Sequence, residues 1–503
     1  LAGAMLLTAC GGGSSSSTQT TAAAGNSAET SAAAEAGSTG GEKVITMAQT
    51  GDWDTFMPMN TTNSGADNVI ELMFDRLMVI NTDGTFEPRL ADSWETNEAQ
   101  DKITYHLNEN AKWQDGEPVT AEDVVYSAQV ASSSEFNYLR RIRMQYFAGT
   151  DETGCETSTD SIEVAALDDH TVEFTLKDPM DPAIIYALVN RDFFIMPKHL
   201  LDSISDADLV NDAFWQKPIG SGPCIFDSME SGVSIEFKAN KDYYLKTPQW
   251  DRFVVKVVAT PSLLSGLMND EIDILAGNVA SLQLSDWDMA QQQQNLTCVS
   301  TESVGYQYMA INTEKDYLPP KVRQAIDMAI NRDAIVSGLL KGEGEPAFGP
   351  FATSHKYYDD VVNVGYNPEK AKELLAEAGW DGSHELVFSV PTGNSIREQA
   401  AVIIQQNLQE IGIKTKIESA DFATHLTKVR EGNYDLGLIG SGGSPDPSEC
   451  VINFKPDHIN NFSHLSDWTI YNTGAEGEHA FSFEDRKVNY DNYQELLVEQ
   501  VPF

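Results

Sequence analysis

Positive charge is what this sequence has least of. Its 503 residues carry 33 Lys and Arg against 76 Asp and Glu, a formal net charge of −43. No basic run offsets that balance, so a nucleic-acid partner, whose phosphates need neutralising, is excluded. Long apolar stretches are missing too: none reaches 18 residues, too short for a membrane-spanning helix. Cysteine is sparse, at five. Cys155, Cys224, Cys298 and Cys450 match no zinc or CxxC spacing, and the sequence leaves open whether they pair or stay as buried thiols. Catalytic motifs are absent as well, with no HExxH, no G-x-S-x-G elbow and no G-x-x-x-x-G-K-[ST] loop. Gly342-Glu-Gly344 imitates a dinucleotide turn, but it follows a helical pattern and runs into Pro346, so it reads as a loop. Nine histidines are scattered without metal-ligand spacing. With no convergent nucleophile or metal cluster, neither catalysis nor a metal or cofactor is indicated.

What is present is a tethered globular body. Residues 1–10 end in Leu7-Thr8-Ala9-Cys10, an apolar stretch that resembles the end of a signal peptide and the bacterial lipobox, in which the cysteine carries lipid. Residues 11–41 contain only Gly, Ser, Thr, Ala, Gln, Asn and Glu. Without aromatic or branched aliphatic residues they cannot offset their ordering entropy, and the segment reads as a disordered tether spanning roughly 30 Å root-mean-square. Two acyl chains or more on Cys10 would make the anchoring durable.

From Lys43 strand and helix patterns alternate. Val44–Ala48 reads as a strand, and residues 68–80 carry Val69, Leu72, Met73 and Leu77 at helical spacing. Thr104–Leu107 reads as a strand, and Thr120-Ala-Glu-Asp123 as a capping box opening a helix. Val322, Ala325, Ile326, Ala329 and Ile330 mark one helix face. Asn367-Pro368 starts another that Gly379 stops. Strands over 384–390, 413–417 and 434–439 alternate with helices over 396–411 and 422–429. Such alternation predicts an α/β fold with parallel sheets covered by helices.

Several segments occur in collinear order from about Lys43 to Phe503. They include Phe86-Glu-Pro-Arg-Leu-Ala-Asp-Ser-Trp94, Tyr105-His-Leu-Asn-Glu-Asn-Ala-Lys-Trp-Gln-Asp-Gly-Glu-Pro-Val-Thr-Ala-Glu-Asp-Val124 and Ile219-Gly-Ser-Gly-Pro223 followed by Phe226. Ala310-Ile-Asn312, Val322-Arg-Gln-Ala325, Ala329–Ile335, Tyr366–Leu375, Ala378-Gly-Trp380 and Ile411-Gly-Ile413 continue the series. Together they resemble the extracellular solute-binding proteins of family 5, the peptide/nickel class of ABC-importer receptors. Cys224 stands where that family's crossing segment usually has Tyr.

The resemblance implies a periplasmic-binding-protein-like type II fold, with two hinged lobes that close on a ligand and an extra inserted domain. Lobe one would comprise 42–74 with 219–305 and the C-terminal end, the extra domain 75–218 and lobe two 306–490. Family members usually continue for some tens of residues past Val501-Pro502, so a piece of lobe one is expected beyond the present chain. Ligand residues would lie at the carboxyl ends of strands. These are Trp53, Tyr306 and Tyr308 as pocket aromatics, or equally core aromatics, and Ser441, Gly443, Ser444 and Asp446 in the loop after 434–439. The resemblance departs at one point, because Gly443 stands where peptide-binding members carry an Asp for the peptide's α-ammonium. Another acid, such as Asp52 or Asp54, would have to substitute. The expected protein is a monomeric receptor, without cofactor and not an enzyme, lipid-anchored at Cys10 outside the cell membrane. It would deliver peptides to an ABC permease with its ATPase subunits. An oligosaccharide, opine or nickel chelate is the alternative solute, and a lipid-anchored surface enzyme the distant alternative.

Overall fold

Val44–Gln49 passes from exposed to fully buried along six residues, and this strand, β1, seeds the first of four sheets among the described residues. The structure, a computed structural model, describes residues 41–61, 63–81, 85–136, 138, 140–277, 279–300, 305–442 and 446–503. Cys10 and nearly all of the tether lie outside them.

The strands in chain order are β1, β2 (Met78–Ile80), β3 (Phe86–Pro88), β4 (Ala91–Thr96), β5 (Lys102–Leu107), β6 (Val164–Asp168) and β7 (Thr171–Thr175). They continue with β8 (Cys224–Glu230), β9 (Ser234–Ala239), β10 (Arg252–Val257) and β11 (Ile274–Leu275). The last four are β12 (Tyr306–Ile311), β13 (Glu385–Pro391), β14 (Lys414–Ala420) and β15 (Leu436–Ser441). The first sheet has the order β11-β1-β10-β9-β8, so the chain leaves it at Gln49 and returns at Cys224. Between those points lie the sheet β4-β5-β7-β6 and the ribbon β2-β3. A separate sheet, β12-β15-β13-β14, is built from residues beyond 305.

The α/β class holds, but the expectation of parallel sheets is corrected to mixed ones. β1 runs parallel to β10 and β11, and β13 parallel to β14 and β15. The pairs β8–β9, β9–β10, β4–β5, β5–β7, β6–β7 and β12–β15 are antiparallel. For the tightest of these pairs connection length decides: only Asp169 and His170 separate β6 from β7, which admits a hairpin and no crossover helix. The helical reading of 68–80 also ends early. The helix spans Ser64–Met73, Phe74 adopts an extended conformation, and Met78–Ile80 form β2. Tertiary bonds take over there, because Asp75 N–H donates to Ser221 Oγ at 3.0 Å and Asp75 O accepts from Ile195 N at 3.2 Å.

The capping box is as read, with Asp123 Oδ2 accepting from Thr120 N at 2.8 Å. The same oxygen takes the indole N–H of fully buried Trp113 at 3.3 Å. Next in sequence, Gln114 Nε2 donates to Gly222 O at 3.1 Å and Cys224 O at 2.9 Å, and its Oε1 accepts from Gly220 N at 3.1 Å. The segment 105–124 is thereby tied to 219–224. Glycine is required at the tie: a Cβ on Gly220 would lie 1.9 Å from Met73 O, and one on Gly222 2.7 Å from Leu72 O.

Helices cover the sheet beyond 305, and three of them are started by a side-chain cap. Asn367 Oδ1 accepts from Lys370 N, Asn394 Oδ1 from Arg397 N and Asp421 Oδ1 from Thr424 N, all at 2.9–3.0 Å. Val322, Ala325, Ile326 and Ala329 are buried on the helix Pro320–Ala329 as their spacing predicts. They join Leu374, Leu375, Phe388, Ile404 and Leu408 in one core. The chain's last residues dock on this unit, with Pro502 O accepting from Ile311 N at 2.9 Å.

Candidate ligand-binding cleft

In sheets with parallel strands, the carboxyl ends leave backbone groups free and helix N-termini nearby. In the first sheet this edge is formed by Thr50 after β1, Thr260 after β10 and Gly277, Val279, Ala280 and Ser281 after β11. These residues, with Gly51, Asp52 and the Asn63–Gly65 start of the first helix, line a cavity of about 670 Å³. Its walls are small and polar. Thr50 Oγ1 donates to Val279 O at 2.5 Å, and Asp52 Oδ1 accepts from Trp53 N at 2.8 Å.

The corresponding edge of the sheet beyond 305 combines the ends of β13, β14 and β15 with the start of antiparallel β12, where Tyr306 pairs with Ser441. A second cavity, of about 760 Å³, opens beside it. Tyr306, Gln307, Tyr308, Asn394, Arg397 and Phe503 are among its walls. The rings of Tyr306 and Tyr308 lie 5.6 Å apart, and Tyr308 meets Phe503 edge-on at 5.6 Å. The Tyr306 hydroxyl is hydrogen-bonded to Ser441, and burial raises the pKa of both tyrosines well above the usual range, so both stay neutral.

Of the residues singled out from the sequence, Tyr306, Tyr308 and Ser441 therefore come together at one edge. Trp53 is half-buried against the core of the first sheet and lines neither cavity. Gly443 and Ser444 lie outside the described residues. Asp446 is buried, 3% exposed, and its carboxylate meets Arg486 Nη2 at 2.7 Å and Ser448 Oγ at 2.6 Å. Its charge is neutralised internally. Asp52 stands at the first edge, as an acid near the cavity.

The reading of the sequence missed Arg397. It sits one turn into the helix Ser395–Glu410, directly after β13, and its Nε and Nη2 donate to Gln307 Oε1 at 2.9 and 2.6 Å. No carboxylate lies within ion-pair distance among the described residues. Partial burial lowers its pKa, so the cation is under-solvated where it stands. The signal for it was available: a cationic side chain three residues after an N-cap Asn, in a helix following a strand, belongs at the carboxyl edge of a sheet.

Residues 85–461, more than half of the chain, match the family described as bacterial extracellular solute-binding proteins, family 5 Middle. The chain belongs to that family. It is accordingly a solute-binding protein and not an enzyme. It is 27% identical over 425 residues to oligopeptide-binding protein AppA of Bacillus subtilis, covering 80% of this chain and 74% of AppA. To di/tripeptide-binding protein 1 of Pseudomonas aeruginosa it is 28% identical over 466 residues, covering 88% and 84%. The crystal structure of the ABC transporter substrate-binding protein CtaP of Listeria monocytogenes superposes with a TM-score of 0.82, at 22% identity and with 91% of each chain covered. Bacillus subtilis AppA in complex with a nonapeptide superposes at 0.71, with 24% identity and 92% of each chain covered. The two-lobed type II fold follows from these matches, and the resemblance drawn from the sequence motifs is confirmed.

Proposed function

We propose that this protein is the peptide receptor of an ABC importer. It captures a peptide between two lobes and hands it to a membrane permease with its ATPase subunits. Lobe one is assigned to 42–74 with 219–305, the inserted domain to 75–218 and lobe two to 306–490. Residues 1–10 are assigned to the end of a signal peptide, 11–41 to the tether and Cys10 to lipidation, holding a monomer outside the cell membrane. The relatives named for peptides support the ligand class.

The observation that carries the reading is Arg397, a half-buried guanidinium beside Tyr306 and Tyr308 with no carboxylate partner among the described residues. A peptide α-carboxylate would complete it, while the two rings pack on side chains. Ser441 and the neighbouring Gly443 and Ser444 would meet the peptide main chain.

Thermal-shift screening against peptides, oligosaccharides and nickel chelates selects the solute class, since a ligand bound only by the folded state raises its melting temperature. With a stabilising peptide in hand, Arg397→Met should weaken binding about 10- to 100-fold, the worth of a hydrogen bond to a charged group. Amidating the peptide's C-terminus should produce the same loss in the wild type and little further loss in the variant. Stabilisation by sugars or chelates but not by peptides would refute the assignment.

A further inference from the structure

Away from both cavities, two distant parts of the chain touch through charged groups. One face is supplied by Gln100, Arg143, Tyr146, Asp181 and Arg191, the other by Asp446, Glu449, Glu478 and the 480–486 segment. Arg143 Nη2 donates to Glu449 Oε1 at 2.6 Å, and Arg191 Nη1 to Glu449 Oε2 at 2.9 Å. Arg486 Nη1 reaches Asp181 Oδ2 at 3.5 Å, and Tyr146 OH reaches Glu478 Oε2 at 3.5 Å. Backbone joins in: Asp181 N donates to Ala480 O at 3.1 Å, and Gln100 Nε2 to Phe481 O at 3.3 Å. The partners are 258 to 381 residues apart in sequence. None of these residues lines either cavity.

Glu449 is placed differently from the others. It lies in the first turn of the short helix Ser448–Val451, and each of its oxygens takes a guanidinium from the opposite face. Its side chain is 27% exposed, and those of Arg143 and Arg191 are 13% and 25% exposed. Separating the faces would leave Arg143 its own ion pair with Asp192. Glu449 would lose both cations. The interaction is therefore one that exists only when the faces meet, partly wet and within reach of salt.

We propose that Glu449, held between Arg143 and Arg191, is an ionic catch that favours the closed arrangement without touching ligand. Ligand affinity is then set partly from outside the cleft, since whatever raises the closed population raises apparent affinity by the same factor. The inference rests on the two-lobed capture reading above.

The test is small-angle scattering of the full chain without ligand, at about 0.02 and 0.5 M NaCl, where screening lengths differ several-fold. The wild type should expand at high salt. Glu449→Gln should be expanded already at low salt and lose the salt response. The exchanged pair Glu449→Arg with Arg191→Glu should recover part of the compactness, which a merely destabilised fold would not. A Glu449→Gln curve matching the wild type at both salts would overturn the catch, as would failure of the exchanged pair to recover compactness. If stabilising solutes compact the wild type and Glu449→Gln still matches it, the catch alone falls. If no solute changes the wild type while Glu449→Gln expands and the exchange restores it, the catch stands and the peptide reading falls.

Discussion

Replacing Arg486 by Met tests how the segment beyond Ser441 is held together. The guanidinium side chain is fully buried and faces the buried Asp446 carboxylate at 2.7 Å. It also donates to Gly477 O at 3.2 Å and to Tyr490 OH at 3.3 Å, and lies over the rings of Tyr357 and Tyr490 at 5.2 and 5.6 Å. Burial alone would raise the Asp446 pKa, yet the Arg486 charge and bonds from Ser448 hold it below the ordinary carboxylate value. Arg486→Met keeps much of the apolar stem and strands that carboxylate. Breaking one side of a buried pair costs about 3–5 kcal/mol, on the order of 10 °C in melting temperature for a cooperative unit of this size. The sign with pH follows from the depressed pKa: the pair's contribution is present above the unfolded value near 4 and fades as pH falls through the folded value. The gap between wild type and variant should therefore narrow in acid. Asp446→Asn combined with Arg486→Met removes both charges and should recover most of the loss. Calorimetry at pH 7 and in acid reads each step. A melting temperature within about 1 °C of wild type, or a double variant no more stable than the single, would refute the reasoning.

Two further outcomes are expected. Asp75 is buried at the junction of 42–74 with the inserted segment. Burial pushes its pKa up to about 6 against the opposing pull of Arg89, Tyr243 and Tyr244. A raised carboxyl pKa stabilises the folded state only below it, so Asp75→Asn should gain stability relative to wild type as pH rises from about 4 to 7, by at most about 3 kcal/mol. Equal pH dependence in denaturant titrations of the two proteins would contradict this. Gly220→Ala should prevent folding or cost more than about 3 kcal/mol, because its Cβ meets Met73 backbone that cannot give way. Ser221→Ala, one residue on, removes only the acceptor of the Asp75 N–H and should cost about 1–3 kcal/mol. Equal stability of the two variants would sink the steric account.

Local chemistry explains which parts of the fold could be read from the sequence. Where a side chain caps its own helix, as Thr120, Asn367, Asn394 and Asp421 do or assist, the signal lies within four residues and the boundary follows. Where a backbone stops for a distant partner, periodicity misleads. Leu77 continues the helical stripe of 68–73, but Ser221 and Ile195 bind the backbone of Asp75, and the helix ends at Met73. Strand direction was illegible for the same reason, since a run such as Val164–Asp168 looks alike in either kind of sheet until the two-residue link to β7 is taken into account. At the cleft the aromatics stood out by type. Arg397 did not, because one arginine among 33 basic residues gains meaning only from the strand before it. Asp446 was conspicuous in its Pro-Asp-Pro turn, yet the cation that neutralises it arrives from 40 residues away.

On the capture reading, the two edges divide the work by chemistry. The first edge is mostly short side chains and main chain, with Thr50, Gly51, Ser64, Gly277 and Ser281 beside the single acid Asp52. Such a wall can hydrogen-bond a peptide backbone while leaving room for any side chain, so it sets affinity without reading sequence. The second edge has rings and a guanidinium, which recognise flat or anionic groups and so impose direction on the ligand. Neither edge alone encloses a solute. Binding energy is realised when both act at once, and it is reduced by the cost of bringing them together. An ionic catch remote from both edges lowers that cost for every ligand equally. The protein could therefore accept many peptides by keeping its first edge small and its catch charged, with Arg397 left to choose which end of the peptide faces lobe two.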